Sequence, residues 1–219
     1  MSKSNLKILY ITSHWPHAPT YGAQQRVLNI GRLLKRVGKV SLVIASSEDI
    51  DEESLDRTHS EFDVSHIFRV KPDPPKSFVE RVRRELDPAF LNTYGRSVSD
   101  ADRSLMLRMM HEYDVIWIHT IKTANDFGIY RWPHSVVDVD DIPSRYYDSL
   151  VINGTRIVRR LLDYRMSFIW SRRERLVSKR FDVIAVCSEN DRLYLGGSTR
   201  IQSIPNGFTP PSRTPKRIS

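Results

Sequence analysis

The chain has 219 residues, of which 40% are hydrophobic and 10% aromatic. That is enough apolar material for one packed domain and excludes a globally disordered chain. A formal net charge of +8 and an isoelectric point near 9.7 invite an anionic partner: nucleic acid, a membrane surface or a phosphorylated substrate. One cysteine, Cys187, excludes an internal disulfide and a cysteine-only metal site. Its place in an apolar run reads as a small buried hydrophobe rather than a nucleophile.

The N-terminus, Met1-Ser-Lys-Ser-Asn5, runs straight into a strand pattern without a signal-peptide core, and no apolar stretch is long enough to span a bilayer. The expected compartment is therefore the cytoplasm. Leu6 to Thr12 is apolar and β-branched and reads as a strand. A loop rich in Pro, His and aromatic residues follows, from Ser13 to Gly22. From Ala23, the apolar positions Val27, Leu28, Ile30, Leu33, Leu34 and Val37 recur at helical spacing, with Gly38 as the C-cap. Val40 to Ala45 is a second strand, Glu48 to Glu53 a solvated acidic loop, and Val64 to Val70 a third strand broken by Lys71-Pro-Asp-Pro-Pro75.

Short helices are expected over Ser77–Leu86 and Ser99–Glu112, the second begun by Ser99 with Asp102. Strands are expected at Asp114–His119 and Ser135–Asp141. A long amphipathic segment, from about Thr155 to Arg180, should lay Ile157, Leu161, Leu162, Phe168, Ile169, Leu176 and Val177 on the sheet and leave its arginines solvated. Two strands close the pattern: Val183–Val186, followed by the helix-start pair Ser188 and Asp191, and a run from Ile201 that stops at Pro205-Asn-Gly207. Strands alternating with helices predict a mostly parallel α/β sheet covered on both faces, with helices between successive strands.

In such sheets ligands lie beyond the carboxyl ends of the strands. The residues to watch are then Ser13 to Gln24, His119-Thr120, Asp138 to Asp141, Cys187 to Asn190, and Asn206-Gly207. Gly22 alone, just before a helix, could let a phosphate approach the unpaired N–H groups of the helix start. It is not a three-glycine dinucleotide fingerprint, which disfavours a classical NAD site. By strand alternation Asp138 and Asp140 share one face and Asp141 takes the other. Three such acids could orient acceptor hydroxyls, cap the helix after Pro143, or hold a divalent cation. No Gly-x-Ser-x-Gly elbow supports a hydrolase.

The pattern Phe181-Asp-Val-Ile-Ala-Val-Cys-Ser-Glu-Asn-Asp191 followed by Ile201-Gln-Ser-Ile-Pro-Asn-Gly-Phe208 resembles the close of the acceptor domain in retaining, family-4 glycosyltransferases of the GT-B type. Tyr21-Gly22-Ala23-Gln24 is similar to their small-residue pair beside the donor phosphates. Asp114-Val-Ile-Trp-Ile-His119 resembles their strand with two histidines, with Trp117 departing from the first and His119 on the second. Val136-Val-Asp-Val-Asp-Asp141 resembles a subset linked to polysaccharide loci. Glu53 and Glu61 reproduce the spacing of the family's donor-domain carboxylates by chance, since no glycine-rich loop adjoins them.

The resemblance implies a Rossmann-like half of a GT-B fold over residues 1–208, with 209–219 a linker toward a donor-binding domain. It implies sugar transfer from a nucleotide diphosphate-sugar to a saccharide or lipid-linked acceptor, with no catalytic metal and no other cofactor. It makes His119, Asp140 and Asp141 the catalytic candidates. Tyr21, Gly22, Ala23 and Gln24, with Ser188, Glu189, Asn206 and Gly207, become the donor-phosphate and substrate-binding candidates. Two other readings stand beside it: a basic nucleic-acid-binding module and a stand-alone nucleotide-binding regulatory domain. Basic residues beside apolar positions in two helices, Lys76, Arg81, Arg83 and Arg84 at the 77–86 helix and Arg156, Arg159, Arg160, Arg172, Arg173, Lys179 and Arg180 in the long segment, further suggest an anionic membrane surface, such as the inner face of the plasma membrane, as a partner, with the shorter helix as its foot.

Overall fold

The computed structural model describes residues 6–16, 22–48, 52–153 and 156–206. In chain order the elements are β1 (Lys7–Thr12), α1 (Gly22–Val37), β2 (Lys39–Ser46), α2 (Glu52–Glu61), β3 (Asp63–Arg69), β4 (Lys71–Pro72), α3 (Phe78–Leu86), β5 (Arg96–Ser97), α4 (Asp100–Met109), β6 (Val115–His119), α5 (Ile121–Asp126), β7 (Ser135–Val139), α6 (Pro143–Asn153), α7 (Ile157–Glu174), α8 (Val177–Arg180), β8 (Val183–Val186), α9 (Glu189–Tyr194) and β9 (Ile201–Ser203). A short 3-10 turn, Met110–Glu112, extends α4. Seven strands form one sheet in the order β3-β2-β1-β6-β7-β8-β9, and each neighbouring pair is parallel. β4 and β5 make a separate antiparallel ribbon. The order runs outward in both directions from β1, so the strand order reverses between β1 and β6. This is a Rossmann-like α/β arrangement.

Period-two alternation along the central strands splits the core in two. Leu9, Ile11, Val43, Ile116, Ile118, Val137, Ile184 and Val186 pack on one face. Ile8, Tyr10, Leu42, Ile44, Trp117 and Ala185 pack on the other, against Val27, Leu28, Ile30 and Leu34 of α1. Both faces are therefore covered, as a parallel sheet requires. Helix starts follow the local rules. Ser77, Ser99 and Ser188 each accept a hydrogen bond from the N–H three residues on. Gly38 ends α1 where the chain passes under β1: a Cβ there would lie 2.4 Å from the Leu6 carbonyl oxygen.

Three sequence expectations change. The acidic stretch continues into a helix, α2, whose only buried residue is Thr58; a polar helix leaves no apolar periodicity to read. The strand expected to reach Asp141 ends at Val139. The long segment is two helices, α7 and α8, interrupted at Arg175-Leu176. Its stripe also divides. Ile169 and Val177 are buried, whereas Ile157, Leu161, Leu162 and Phe168 are exposed. The first half of α7 packs on α6 as a helical hairpin instead of lying on the sheet.

Candidate functional site

A cleft of about 240 Å³ opens at the carboxyl edge of the sheet, where β1, β6 and β7 end side by side. Ser13 and His14 follow β1, and Ala23 sits in the first turn of α1. His119, Thr120, Ile121 and Lys122 cross from β6 into α5. Val139, Asp140, Asp141 and Pro143 lead from β7 into α6, while Tyr94 and Trp170 close the far wall. The topological switch between β1 and β6 thus falls at the cleft.

His119 is 0% exposed, and neither ring nitrogen has a hydrogen-bond partner among the described residues. Its ring meets that of His14 edge-on, with centroids 5.4 Å apart. Burial, with smaller contributions from His14 and Arg26, pushes its pKa down to about 3. The imidazole is thus neutral at physiological pH, with one donor and one acceptor for a ligand. A buried polar group left unpaired costs about 1–3 kcal/mol, and a ligand hydroxyl would recover that once the cleft wall over the ring parts to admit it. The next residue, Thr120, has φ 73° and ψ 144°. A non-glycine residue at positive φ carries strain of roughly 1–3 kcal/mol. Here the strain turns the chain so that the Thr120 side chain caps α5 by accepting from the Thr123 N–H. The Thr123 hydroxyl in turn bonds Ser13 Oγ at 3.0 Å, tying the ends of β1 and β6 together.

The three acids of the β7 end have separate roles. Asp138 is 0% exposed and is held by Arg26 of α1 through Nε at 2.8 Å and Nη2 at 2.6 Å. Burial pulls the Arg26 guanidinium down, but Asp138 outweighs it and the value ends raised. Burial also lifts the Asp138 carboxyl. With both oxygens taken by Arg26, Asp138 is structural. Asp140 lies 3.8 Å from Arg26 Nε, so it shares the Asp138 face, and it accepts the Cys187 thiol at 3.0 Å. Burial and that bond push the thiol up to about 12, far from a reactive thiolate. Asp141 lines the cleft with its carboxyl raised by burial, then by Asp140 and Asp191. In the first turn of α6 the Ser144 N–H is taken by Glu174 of α7 at 2.9 Å.

Of the other expected site residues, Ala23 lines the cleft, and Gly22 begins α1 beside it in open space. Gln24 follows in the same first turn. Ser188 caps α9, and exposed Glu189 pairs with Arg192, so neither faces the cleft. Asn206 accepts from Arg26 Nη1 at 2.6 Å, which also bonds the Ile204 carbonyl at 2.9 Å. Tyr21 and Gly207 lie outside the described residues.

Sequence reasoning missed Arg26, Tyr94, Lys122 and Trp170. Tyr94 and Trp170 stack at 5.5 Å and 33°, and Lys122 Nζ lies 5.3 Å from the Tyr94 ring centre. Among these only Lys122 carried a signal, its place two residues past the His119-Thr120 strand end. Among the described residues, no group of three or more His, Cys, Asp or Glu could hold a metal ion. Among them, too, no helix is long and apolar enough to cross a membrane.

No family model and no curated protein matches the chain. Among solved structures, it is similar to a chain described as the glycotransferase of kitacinnamycin, with 13% identity and a TM-score of 0.35. The match covers 94% of this chain and 53% of that one, so the chain spans about half of its length.

Proposed function

We propose that this chain is the acceptor-side half of a GT-B glycosyltransferase of the retaining family-4 kind, working with a donor-binding domain across the cleft. The observation that carries the reading is His119: a neutral, buried imidazole with both nitrogens unpartnered, at the switch point of a parallel sheet. The motif resemblance puts the donor sugar at that position. A sugar hydroxyl there would satisfy the ring without a change of charge.

In the transfer, the bond from the anomeric carbon to the diphosphate oxygen breaks and a bond to an acceptor oxygen forms. Negative charge grows on the leaving diphosphate. The N–H groups at the start of α1, beside Gly22 and Ala23, face that charge. The acceptor hydroxyl hydrogen-bonds to Asp141 or Asp140, which fixes the attacking oxygen near the cleft floor, and its proton passes to the departing diphosphate oxygen as the new bond forms. The Tyr94–Trp170 stack gives an apolar wall for a sugar face. Most of the diphosphate's binding surface belongs to the donor domain. The reading therefore expects free nucleotide to bind this chain poorly and the chain alone not to turn over. Calorimetry of the 219-residue chain with UDP, GDP and NAD, and hydrolysis assays with UDP-glucose and GDP-mannose, test it. No binding heat and no turnover are expected. Tight nucleotide binding would favour a stand-alone regulatory domain, and turnover at an enzyme's rate by this chain alone would sink the two-domain reading.

A further inference from the structure

The positive charge of the chain does not collect at the cleft. Among the described residues the cleft is lined by one ammonium group, Lys122, and two carboxyls, Asp140 and Asp141. A second pocket, of about 380 Å³, has the reverse balance. Arg131, Lys179, Arg180 and Arg200 line it, with Asp182 as the acid among them and Ser178 and Phe181 completing the wall. It lies at the amino edge of the sheet, opposite the cleft, where β7, β8 and β9 begin side by side. Arg131 comes from the loop before β7, Lys179 and Arg180 from α8 before β8, and Arg200 from the residue before β9.

Backbone pairing holds these cations in place. The Trp132 N–H donates to the Arg180 carbonyl at 3.0 Å, which sets Arg131 beside the end of α8. The Ile184 N–H donates to the Arg200 carbonyl at 2.8 Å, which ties the entry of β9 to β8. Asp182 accepts the Ser135 N–H at 3.1 Å. Arg180 is 6% exposed, and its guanidinium donates to the Tyr130 carbonyl at 3.2 Å and to Asn125 Oδ1 at 2.7 Å. It thereby fixes the residue before Arg131.

The side chains of Arg131, Lys179 and Arg200 are exposed, and none of them has an ion-pair or hydrogen-bond partner among the described residues. Exposed arginines elsewhere do: Arg32 pairs with Glu61, Arg57 with Glu53 and Arg145 with Asp191. Four cations gathered around one carboxylate repel one another. An anion among them would remove that repulsion and gain charge-assisted hydrogen bonds.

We propose that this amino-edge pocket binds a small, multiply charged phosphoanion that carries no nucleoside, held by Arg131, Lys179 and Arg200. Guanidinium forks match pairs of phosphate oxygens, and the lysine adds a point charge. Among the described residues, no exposed ring lines the pocket for a base to stack on, since Phe181 is 2% exposed. No exposed aliphatic side chain lines it either, so the wall has nothing to insert into a bilayer. A bound anion would cross-link the entries of three neighbouring strands and stabilise the fold. The site lies on the other side of the sheet edge from the transfer chemistry and does not depend on it.

The test is calorimetry and thermal melting of the 219-residue chain with inorganic pyrophosphate, against sodium chloride at matched ionic strength. Pyrophosphate should bind saturably and raise the thermal midpoint beyond the effect of chloride. Arg131→Gln with Arg200→Gln should weaken binding by about tenfold for each cation removed. Both side chains are exposed and unpaired, so the midpoint without ligand should not fall. Asp182→Asn keeps an oxygen for the Ser135 N–H but removes the negative charge, and should tighten binding by about threefold. Lys122→Gln, in the cleft, should bind pyrophosphate like wild type. No binding beyond that of chloride, pocket variants that bind unchanged, or loss of binding in Lys122→Gln alone would overturn the proposal. So would displacement of pyrophosphate by equimolar UDP, or by duplex DNA with a steep salt dependence, which would give the pocket to a nucleotide or to nucleic acid. Nucleotide heat that survives Arg131→Gln with Arg200→Gln would count against the two-domain reading of the cleft and leave this pocket untouched.

Discussion

Asp138 and Asp140 stand two residues apart at the end of β7 and share one side of the chain, yet their surroundings are opposite. Asp138 is sealed: Arg26 takes both of its oxygens, and the same guanidinium reaches Ile204 and Asn206 beyond β9. One side chain therefore pins α1, β7 and the exit of the last strand. Asp140, with Asp141 and His119, borders open cleft. Where every polar atom is matched within the fold, the residue holds structure. Where a polar atom is buried and unmatched, as in His119, the fold carries a cost that a ligand can remove.

The most direct way to break that contrast is to remove one partner of the sealed pair. Asp138→Ala leaves the buried Arg26 with only the more distant Asp140 carboxylate, 3.8 Å away, and should lower stability by about 3–5 kcal/mol, read from chemical denaturation. The double change Arg26→Met with Asp138→Leu should recover much of that loss, because both charges leave together. Asp140→Ala, by contrast, should cost less than about 1 kcal/mol, since its side chain keeps contact with water. Equal losses at 138 and 140 would erase the distinction.

Acid sharpens the comparison from the other side. The unfolded chain protonates a histidine near pH 6.5, whereas buried His119 resists until about 3. The unfolded state binds the proton first, so the His119 contribution to stability is fully present above about pH 6.5 and is lost as pH falls toward 3. His119→Gln removes that limb. Relative to wild type, the variant should gain stability on acidification, by up to about 1.4 kcal/mol per pH unit at the steepest. Parallel stability profiles between pH 7 and pH 4 would show that His119 is not held neutral.

The sheet was legible because its signals are local. Apolar runs of strand length, the serine caps at Ser77, Ser99 and Ser188, and the stop at Pro205 each lie within a few residues of what they determine. Strand-end logic also placed His119, Asp140 and Asp141 at one edge. Arg26 was hidden because it occupies one turn of an amphipathic helix and its partner lies 112 residues away. Tyr94 and Trp170 come from a loop and from the middle of a helix, and only tertiary packing brings them to the cleft. The stripe of α7 misled for a related reason: amphipathic spacing shows that a face seeks an apolar partner without saying that the partner is the sheet.

The central claim is that the unpartnered His119 ring is the sugar-binding group of a transferase cleft. Its most direct test joins this chain to the donor-binding domain that the proposed function calls for and follows transfer from a radiolabelled nucleotide diphosphate-sugar into a lipid-linked acceptor, for wild type and His119→Ala. The account predicts a loss of roughly 100-fold or more in transfer rate with the thermal midpoint nearly unchanged. In stability, the cavity left behind is offset by removing an unsatisfied buried group. Wild-type activity in His119→Ala, or a large drop in its melting temperature with normal specific activity, would contradict it and make His119 a structural residue.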